Sequence, residues 1–545
     1  MPRRALWPIF LLLLVAVSCD RRSADDTAVF RFINRGDIIT LDLNQMSYVQ
    51  DFRITYAIRE GLYAPAGPDF TPVPAGATSA EVSPDQRTYT FRLRPDARWS
   101  NGDPVTADDY LFSWKLMLDT PGEYTYLFYC IEGAKAYEEA VKADPKADFS
   151  QVAVRAIDRH TLRVTLSSPV PYFLDLAAFP PFYPRHEPSM RAFKFPEAPG
   201  YDAKYTRPPA VVTNGPFVLS DWQFKKVLRL DRNPHYWDAA NVKLTAIENV
   251  INDNTLSQYL QFEAGAVQFI ADVPAEVAPE LREQKHPGFT TATAFGTAFL
   301  SLNTRPTLPG SDAKNPLADV RVRQALAMTI DKTFITEGIT RLGEQVATTY
   351  IPPGTLPGYH SAPGLAYDVA KAKALLAEAG YPDGRGFPKL PVLFNSENQT
   401  RARIAQALKQ QWKQALGIDV EVDGIEGKIF KERNSTKNFV ISTVAWYGDY
   451  PDVSTFTDKY LASSLNNDSD YQSKAYNDLL TQAALEPDVE KRFEQLRQAE
   501  HLLNTEVPII PMYHYVNAAL IGPKVRGLSV NARNLMVWKD VSLEP

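Results

Sequence analysis

The residue types that most often form catalytic or metal sites are sparse and badly spaced in this sequence. Its seven histidines are scattered, and the two closest, His501 and His514, are too far apart to share one helical face as zinc ligands. No Gly-x-Ser-x-Gly motif presents a nucleophilic serine. Residues 424–428 superficially resemble a phosphate loop, but no serine or threonine follows the lysine, so we interpret them as a turn after a strand ending at Val422. We expect no enzyme activity, no metal site and no cofactor.

An acidic loop with aromatic neighbours is the strongest candidate for binding chemistry. Residues 445–452 read Ala-Trp-Tyr-Gly-Asp-Tyr-Pro-Asp. A carboxylate such as Asp449 can form charge-assisted hydrogen bonds with a cation, and Trp446, Tyr447 and Tyr126 can supply rigid apolar walls with a polar tip. The ordinary alternatives are a solvated turn for Asp449 and core packing for Tyr126 and Trp446.

Helix and strand patterns alternate irregularly along the chain, which predicts mixed α/β structure. Thr106 and Asp109 form a capping-box pattern before a helix, and residues 401–416 predict a helix that stops at Gly417. Residues 88–93 and 161–166 alternate as half-buried strands do. Proline-rich segments at residues 65–74, 180–209 and 306–316 are the expected connections between lobes.

The N-terminus predicts export from the cytoplasm. Arg3 and Arg4 precede an apolar stretch over residues 6–17, which is too short to span a membrane. It ends in Ala16-Val17-Ser18-Cys19, which resembles a bacterial lipobox except that Ala16 replaces the usual leucine. We therefore predict a lipoprotein signal peptide over residues 1–19, a lipidated Cys19, and a protein anchored to a membrane in the periplasm or at the cell surface. The alternative is an ordinary secretory signal cleaved nearby.

Composition limits the remaining function classes. The chain has 545 residues, 45% of them hydrophobic, and a formal charge of −6. These values indicate a folded protein of several domains. Because no run of five or more basic residues occurs, the electrostatic footprint of a nucleic-acid-binding protein is missing. If Cys19 carries lipid, Cys130 is the only remaining thiol, and we predict that it is an unreactive buried side chain.

Several motifs resemble those of one family. Residues 99–109, Trp-Ser-Asn-Gly-Asp-Pro-Val-Thr-Ala-Asp-Asp, are similar to a signature of the peptide-binding components of bacterial ABC importers. Further matches follow in the same order, at residues 213–217, 232–237, 319–326, 380–384 and 516–518. The chain therefore resembles the solute-binding proteins of family 5, and residues 445–452 most resemble those of the oligopeptide-binding type.

This resemblance implies a two-lobed periplasmic-binding-protein fold of type II, cluster C, with an additional domain and two hinge strands. The implied domain I is discontinuous and comprises residues 27–72, 205–302 and 518–545. Domain II, an extra domain on the first lobe, comprises residues 73–204. Domain III, the second lobe, comprises residues 303–517.

The resemblance also assigns roles to individual residues. Asp449 matches the aspartate that holds a peptide's α-ammonium group. Ala445 to Tyr447 on one lobe, and the segment 34–40 that contains Ile39 on the other, would pair with the peptide backbone. The chain departs from the pattern at Tyr447, where a cysteine is usual, and at Thr443, where an arginine is usual. Arg433 lies one residue out of register with a second arginine that could hold the peptide's carboxylate.

The function that this resemblance implies is capture of oligopeptides in a closing cleft and delivery to an inner-membrane ABC permease. We expect a monomer that does not bind nucleic acid. The alternatives are another solute in the same fold (a murein tripeptide, dipeptide, nickel chelate, haem or opine) or an exported peptidase.

Overall fold

The computed structural model describes residues 28–34, 36–67, 70–193 and 203–544. The leader and Cys19, for which we predict lipidation, lie outside these ranges. Within them, no helix is both long enough and apolar enough to cross a membrane.

In the described ranges, the strands form one large sheet of eleven strands, one sheet of four and two sheets of two strands each. Their bounds are β1 Val29–Ile33, β2 Tyr63–Ala66, β3 Thr71–Pro74, β4 Ala77–Val82, β5 Thr88–Leu93, β6 Val154–Asp158, β7 Thr161–Thr165, β8 Phe217–Gln223, β9 Val227–Arg232, β10 Ala246–Val250, β11 Phe269–Ile270, β12 Phe289–Leu302, β13 Gln345–Val346, β14 Leu390–Asn395, β15 Val420–Ile425, β16 Ile441–Tyr447, β17 Ile509–Ile521, β18 Val525–Arg526 and β19 Ser542–Leu543. The large sheet runs in the order β15-β14-β16-β12-β17-β11-β1-β10-β9-β8, and β13 pairs with β17.

The helices cover both halves of the large sheet and one face of the small one. Their bounds are α1 Val49–Ile58, α2 Ala107–Asp119, α3 Ala134–Ala143, α4 Phe173–Ala177, α5 Glu187–Arg191, α6 Thr255–Glu263, α7 Ala278–Glu283, α8 Val320–Ala327, α9 Val369–Glu378, α10 Gln399–Leu416, α11 Gly427–Ser435, α12 Ser454–Thr457, α13 Lys474–Leu485 and α14 Val489–Glu506.

Two long antiparallel strands, β12 and β17, join the two halves of the large sheet. The first half of β12 pairs with the last part of β17, and its second half pairs with the first part of β17, with a break in register between Thr293 and Thr297. On one side of this break the sheet continues through β11 and β1; on the other it continues through β16 and β14. The fold is therefore two-lobed, and the break between Thr293 and Thr297 lies where the lobes meet. The proline-rich segment 306–316, expected to be a connection, follows β12 instead.

Separate hydrophobic cores support this division. One core surrounds β4, β5, β6 and β7 and contains residues from Leu62 to Phe182. A second lies under the β8–β11 half of the large sheet, and two more lie within residues 295–513. Tyr450 is an exception, since it belongs to the second lobe but packs into the first core.

The local predictions are largely confirmed. Helix α2 follows the capping box, in which the Asp109 carboxylate accepts a hydrogen bond from the Thr106 backbone N–H at 2.7 Å. Helix α10 ends at Gly417, whose φ of 71° is left-handed. The prediction of a turn at residues 424–428 is wrong. Strand β15 continues to Ile425, and α11 begins at Gly427.

Candidate functional site

Asp449 lies just beyond the end of β16, where the second lobe faces the extra sheet of the first. Its carboxylate accepts a hydrogen bond of 2.7 Å from the Tyr126 hydroxyl on the opposite lobe. Its backbone N–H donates to Thr455 Oγ1 at 2.9 Å. The first contact holds the carboxylate between the lobes, and the second holds the backbone of the loop that carries it.

A close approach of two chain segments makes glycine necessary beside Asp449. The Gly448 N–H donates to the carbonyl of Phe295, in the break of β12, at 2.8 Å. A Cβ atom on Gly448 would lie 2.1 Å from the Phe295 ring, which no side chain can tolerate. Glycine therefore lets the Asp449 loop lie directly against the strand that joins the lobes.

Asp449 has no cationic partner among the residues that the structure describes. Its neighbour Asp452 differs, because Arg492 contacts both of its carboxylate oxygens, at 2.8 and 2.6 Å. Burial raises the pKa of Asp449 above its ordinary value, and the nearby charge of Glu123 adds to the increase, while the hydrogen bond from Tyr126 opposes it. A half-buried carboxylate without a counter-ion is costly unless a ligand supplies the missing cation.

Two cavities meet at Asp449. The main cavity, of about 530 Å³, lies along the junction of the lobes and is lined by α1, Tyr124, Tyr447, Tyr515 and the segment 532–535. The side cavity, of about 340 Å³, lies between the extra sheet's domain and α12 and is lined by Tyr126, Tyr172, Trp446 and Asp458, among others. Both volumes are in the range of ligand pockets, about 300–1,000 Å³. Asp449 can therefore contact a ligand that extends into either cavity.

Aromatic side chains form much of the walls. Tyr447, which is 51% exposed, stacks on Tyr515 with ring centres 5.1 Å apart. Tyr172 of the first lobe stacks on Tyr450 of the second at 4.4 Å. The Trp446 indole N–H donates to the Thr455 carbonyl at 2.8 Å, which holds its ring against the side cavity. These rigid rings can cover apolar parts of a ligand at little entropic cost.

The β16 edge near Ala445 offers main-chain hydrogen-bonding groups. Hydrogen bonds close the β12–β16 ladder at both ends, from Gly448 to Phe295 and from Asn303 to Val440. In an antiparallel ladder this register leaves Ala445 as a non-hydrogen-bonded position, with its N–H and C=O directed away from β12. Strand β14 pairs with β16 only at its first two residues, Ile441 and Ser442. The backbone of Ala445 therefore faces an edge that β14 does not reach.

Three of the residues selected from the sequence, Ala445, Arg433 and Ile39, do not line either cavity. Arg433 lies on α11, where its guanidinium contacts the Asp423 carboxylate at 2.9 Å and the Asn438 carbonyl at 2.9 Å. Ile39 is 56% exposed, and its N–H donates to Asp51 at 2.9 Å. The structure therefore brings together Asp449, Trp446, Tyr447 and Tyr126, with Ala445 beside them, but not Arg433 or Ile39.

Sequence reasoning missed other polar groups of the cavities. Asp175 and Arg533, which pair at 3.3 Å, line the main cavity, and Asp458 lines the side cavity. Burial raises the pKa of Asp175 to about 6. No local pattern marks these residues, because they come from segments far apart in the chain.

The surroundings of Cys130 are those of an unreactive thiol. Cys130 lines the side cavity, its thiol contacts the Leu127 carbonyl at 3.2 Å, and burial raises its pKa to about 12. A thiol in this state is unreactive near neutral pH. Across residues 28–544, outside the gaps given above, no three His, Cys, Asp or Glu side chains are grouped as a metal site requires.

Comparison with known proteins gives consistent results for sequence and structure. Residues 71–468 match the family model described as bacterial extracellular solute-binding proteins, family 5. The oligopeptide-binding protein OppA of Bacillus subtilis is 31% identical, over 84% of this chain and 83% of that protein.

Two solved structures show the same fold over nearly the whole chain. The murein tripeptide binding protein MppA of Escherichia coli has a TM-score of 0.76 and 29% identity, and the match covers 94% of this chain and 98% of that one. OppA of Listeria monocytogenes, solved bound to peptide, has a TM-score of 0.73 and 26% identity, with 95% and 99% covered.

Proposed function

Because this chain belongs to the bacterial extracellular solute-binding proteins of family 5, we propose that it binds oligopeptides between its lobes and delivers them to an ABC permease. The carboxylate of Asp449 carries the proposal, since it lies between the lobes without a counter-ion in the described part of the chain. A relative at 31% identity is named as an oligopeptide-binding protein, and another was solved with bound peptide.

A peptide's α-ammonium group matches the Asp449 site chemically. All unblocked peptides share this group, whereas their side chains vary. An ammonium–carboxylate hydrogen bond is charge-assisted and is stronger where cavity walls exclude water. The ammonium would join the Tyr126 hydroxyl as a second donor to the same carboxylate. Recognition through Asp449 therefore needs no particular peptide sequence.

Hydrogen bonds to the peptide main chain supply a second contact that is available to peptides of any sequence. The N–H and C=O of Ala445 lie at an edge that β14 does not cover, and an extended peptide can add to such an edge as a further strand. Trp446, Tyr447 and Tyr126 then act as walls for peptide side chains. We assign no role in this contact to Ile39 or Arg433.

We extend the proposal to the organisation of the mature protein. We propose domain I at residues 27–72, 205–302 and 518–545, domain II at 73–204, and domain III at 303–517. The separate cores support this division in outline, but residues 295–302 pack with the cores of the second lobe. The leader pattern supports a lipid anchor at Cys19, outside the cytoplasm. In this arrangement the protein is a membrane-tethered monomer that closes on its ligand by movement of the lobes about β12 and β17.

Peptide binding should be visible as thermal stabilisation, because a ligand that binds only the folded state raises the melting temperature. We expect Ala-Ala-Ala to raise the melting temperature in a concentration-dependent way, and N-acetyl-Ala-Ala-Ala, which lacks the ammonium, to raise it much less. Differential scanning fluorimetry with both peptides is the measurement. Equal shifts for the two peptides, or none for either in folded protein, would contradict the proposal.

The Tyr126 hydroxyl should tune the pH range of binding. Cation binding requires ionised Asp449, so affinity falls as pH decreases through the pKa of this group, which burial has raised. The Tyr126 hydrogen bond lowers that pKa, so Tyr126→Phe should move the loss of affinity to higher pH. Dissociation constants for Ala-Ala-Ala between about pH 4 and pH 8, a range that spans ordinary and raised carboxyl pKa values, provide the measurement. Superimposable pH profiles for the two proteins would show that Tyr126 does not act on Asp449.

A further inference from the structure

The side cavity contains a second acidic side chain, Asp458, to which the proposed function gives no role. Asp458 follows α12 and lines this cavity together with Asp449. Among the described residues, no hydrogen-bond donor or cation contacts its carboxylate. Asp458 is an exposed residue, and its side chain forms part of the cavity wall.

Two charged residues close to Asp458 in the chain already have partners of opposite charge. Asp452 is held by Arg492 through two contacts. Lys459 pairs with Asp468 at 3.1 Å and also donates to the Asn466 carbonyl. Its ammonium lies 5.1 Å from the centre of the Trp446 ring. The side cavity therefore has two carboxylates, Asp449 and Asp458, without counter-ions from the described chain.

The surroundings of Asp458 favour its uncharged form. Desolvation by the cavity walls and then the charge of Asp452 raise its pKa to about 7, and Arg492 only partly opposes this. Carboxylates with raised pKa values that line a cavity are concentrated at functional sites. A cation in the side cavity would lower this pKa.

The cavity walls suit the side chain of a basic amino acid. Tyr126, Tyr172 and Trp446 line the same cavity as the two carboxylates. Lysine and arginine have long apolar stems that pack on such rings, and their charged ends are attracted to ring faces. A volume of about 340 Å³ is at the lower end of ligand pockets, which range over about 300–1,000 Å³. It therefore fits an amino end with one side chain and excludes most of a longer ligand.

We propose that Asp458 is a specificity-determining residue that selects peptides with lysine or arginine at the amino end, by pairing with the cationic side chain while Asp449 pairs with the α-ammonium. This inference rests on the proposed function, since it names the class of peptide that the same site prefers. The ligand would then present two positive charges to two negative ones, and the variable remainder of the peptide would extend into the main cavity.

A matched pair of peptides tests this assignment. Lys-Ala-Ala and norleucyl-Ala-Ala have side chains of similar length, but only lysine carries the terminal ammonium. In calorimetric titrations near neutral pH, we expect the wild-type protein to bind Lys-Ala-Ala roughly 10- to 100-fold more tightly, as one charge-assisted hydrogen bond predicts. Asp458→Asn should reduce the ratio of the two dissociation constants to about one, whereas Asp458→Glu, which keeps the charge, should retain a preference for lysine.

Asp312→Asn is the control, because Asp312 is exposed on a loop of the second lobe and its charge is removed in the same way. This variant should keep the wild-type ratio. Melting curves of each variant establish that it is folded. Equal affinities of the wild-type protein for the two peptides, or a ratio that persists in Asp458→Asn, would overturn the assignment. Failure of both peptides to bind would instead contradict the proposed function itself.

Discussion

Replacing Asp449 with asparagine should weaken the binding of Ala-Ala-Ala by about 2–5 kcal/mol, the usual cost of removing one partner from a buried charged pair. That range corresponds to roughly 30- to 5,000-fold in dissociation constant. The physical reason is that asparagine keeps the size and the hydrogen bond to Tyr126 but removes the negative charge that would pair with the peptide's ammonium. Isothermal titration calorimetry at fixed pH and salt is the measurement.

The acetylated peptide provides the control for this substitution. N-acetyl-Ala-Ala-Ala has no ammonium, so its weak binding should differ little between the wild-type protein and Asp449→Asn. Asp312→Asn, the exposed control, should bind Ala-Ala-Ala as the wild type does. If Asp449→Asn and the wild-type protein bound Ala-Ala-Ala equally well, Asp449 would not be the ammonium site.

Replacing Arg492 with methionine should lower the free energy of unfolding by about 3–5 kcal/mol. This is the typical cost of removing one partner of a buried ion pair and leaving the other charge uncompensated. Both side chains of the Arg492–Asp452 pair are only 7% exposed. Asp452 also accepts a hydrogen bond from the Ser454 backbone N–H at 2.9 Å, so the uncompensated charge would lie beneath the loop that positions Asp449. Chemical denaturation followed by circular dichroism measures the effect.

An exposed ion pair provides the matched comparison. Arg526 and Glu544 form a pair with side chains 51% and 53% exposed, and Arg526→Met should change stability by no more than about 1 kcal/mol. The double variant Asp452→Asn/Arg492→Met should recover part of the loss, because it no longer leaves a buried charge unpaired. Equal effects of Arg492→Met and Arg526→Met would show that the Asp452 pair does not stabilise the site.

Features set by neighbouring residues could be predicted from the sequence. The capping box at Thr106 and Asp109, the end of α10 at Gly417 and the strand at residues 88–93 all appear as expected. The reason is that caps, left-handed stops and two-residue alternation depend on residues only a few positions apart. The family and the two-lobed fold could also be predicted, because six short motifs occur in a fixed order.

Features set by long-range packing could not be predicted. Arg433 was a candidate for binding a carboxylate, but its partner is Asp423 on the adjacent strand β15. The lobes are joined at the break in β12, and not at proline-rich segment 306–316, because strand pairing over the whole sheet determines which strands cross. Residues 424–428 read locally as a turn, yet pairing with β14 extends β15 to Ile425.

The cavities between the lobes are the clearest example of a feature that could not be predicted from the sequence. Tyr126 and Asp449 are in direct contact although 323 positions separate them in the chain. Asp458 carries no motif of its own, and only the three-dimensional arrangement shows that its neighbours Asp452 and Lys459 already have partners. Charge compensation is a property of the folded site, so sequence alone cannot identify the carboxylates that lack a counter-ion.

A crystal structure of the protein with bound Lys-Ala-Ala tests the central claim most directly. The claim is that an acidic side chain between the lobes holds the amino end that peptides share. It predicts the peptide's α-ammonium within about 2.7–2.9 Å of the Asp449 carboxylate, the distance of a charge-assisted hydrogen bond. A peptide bound between the lobes with its amino end elsewhere, and Asp449 directed into solvent, would contradict the claim.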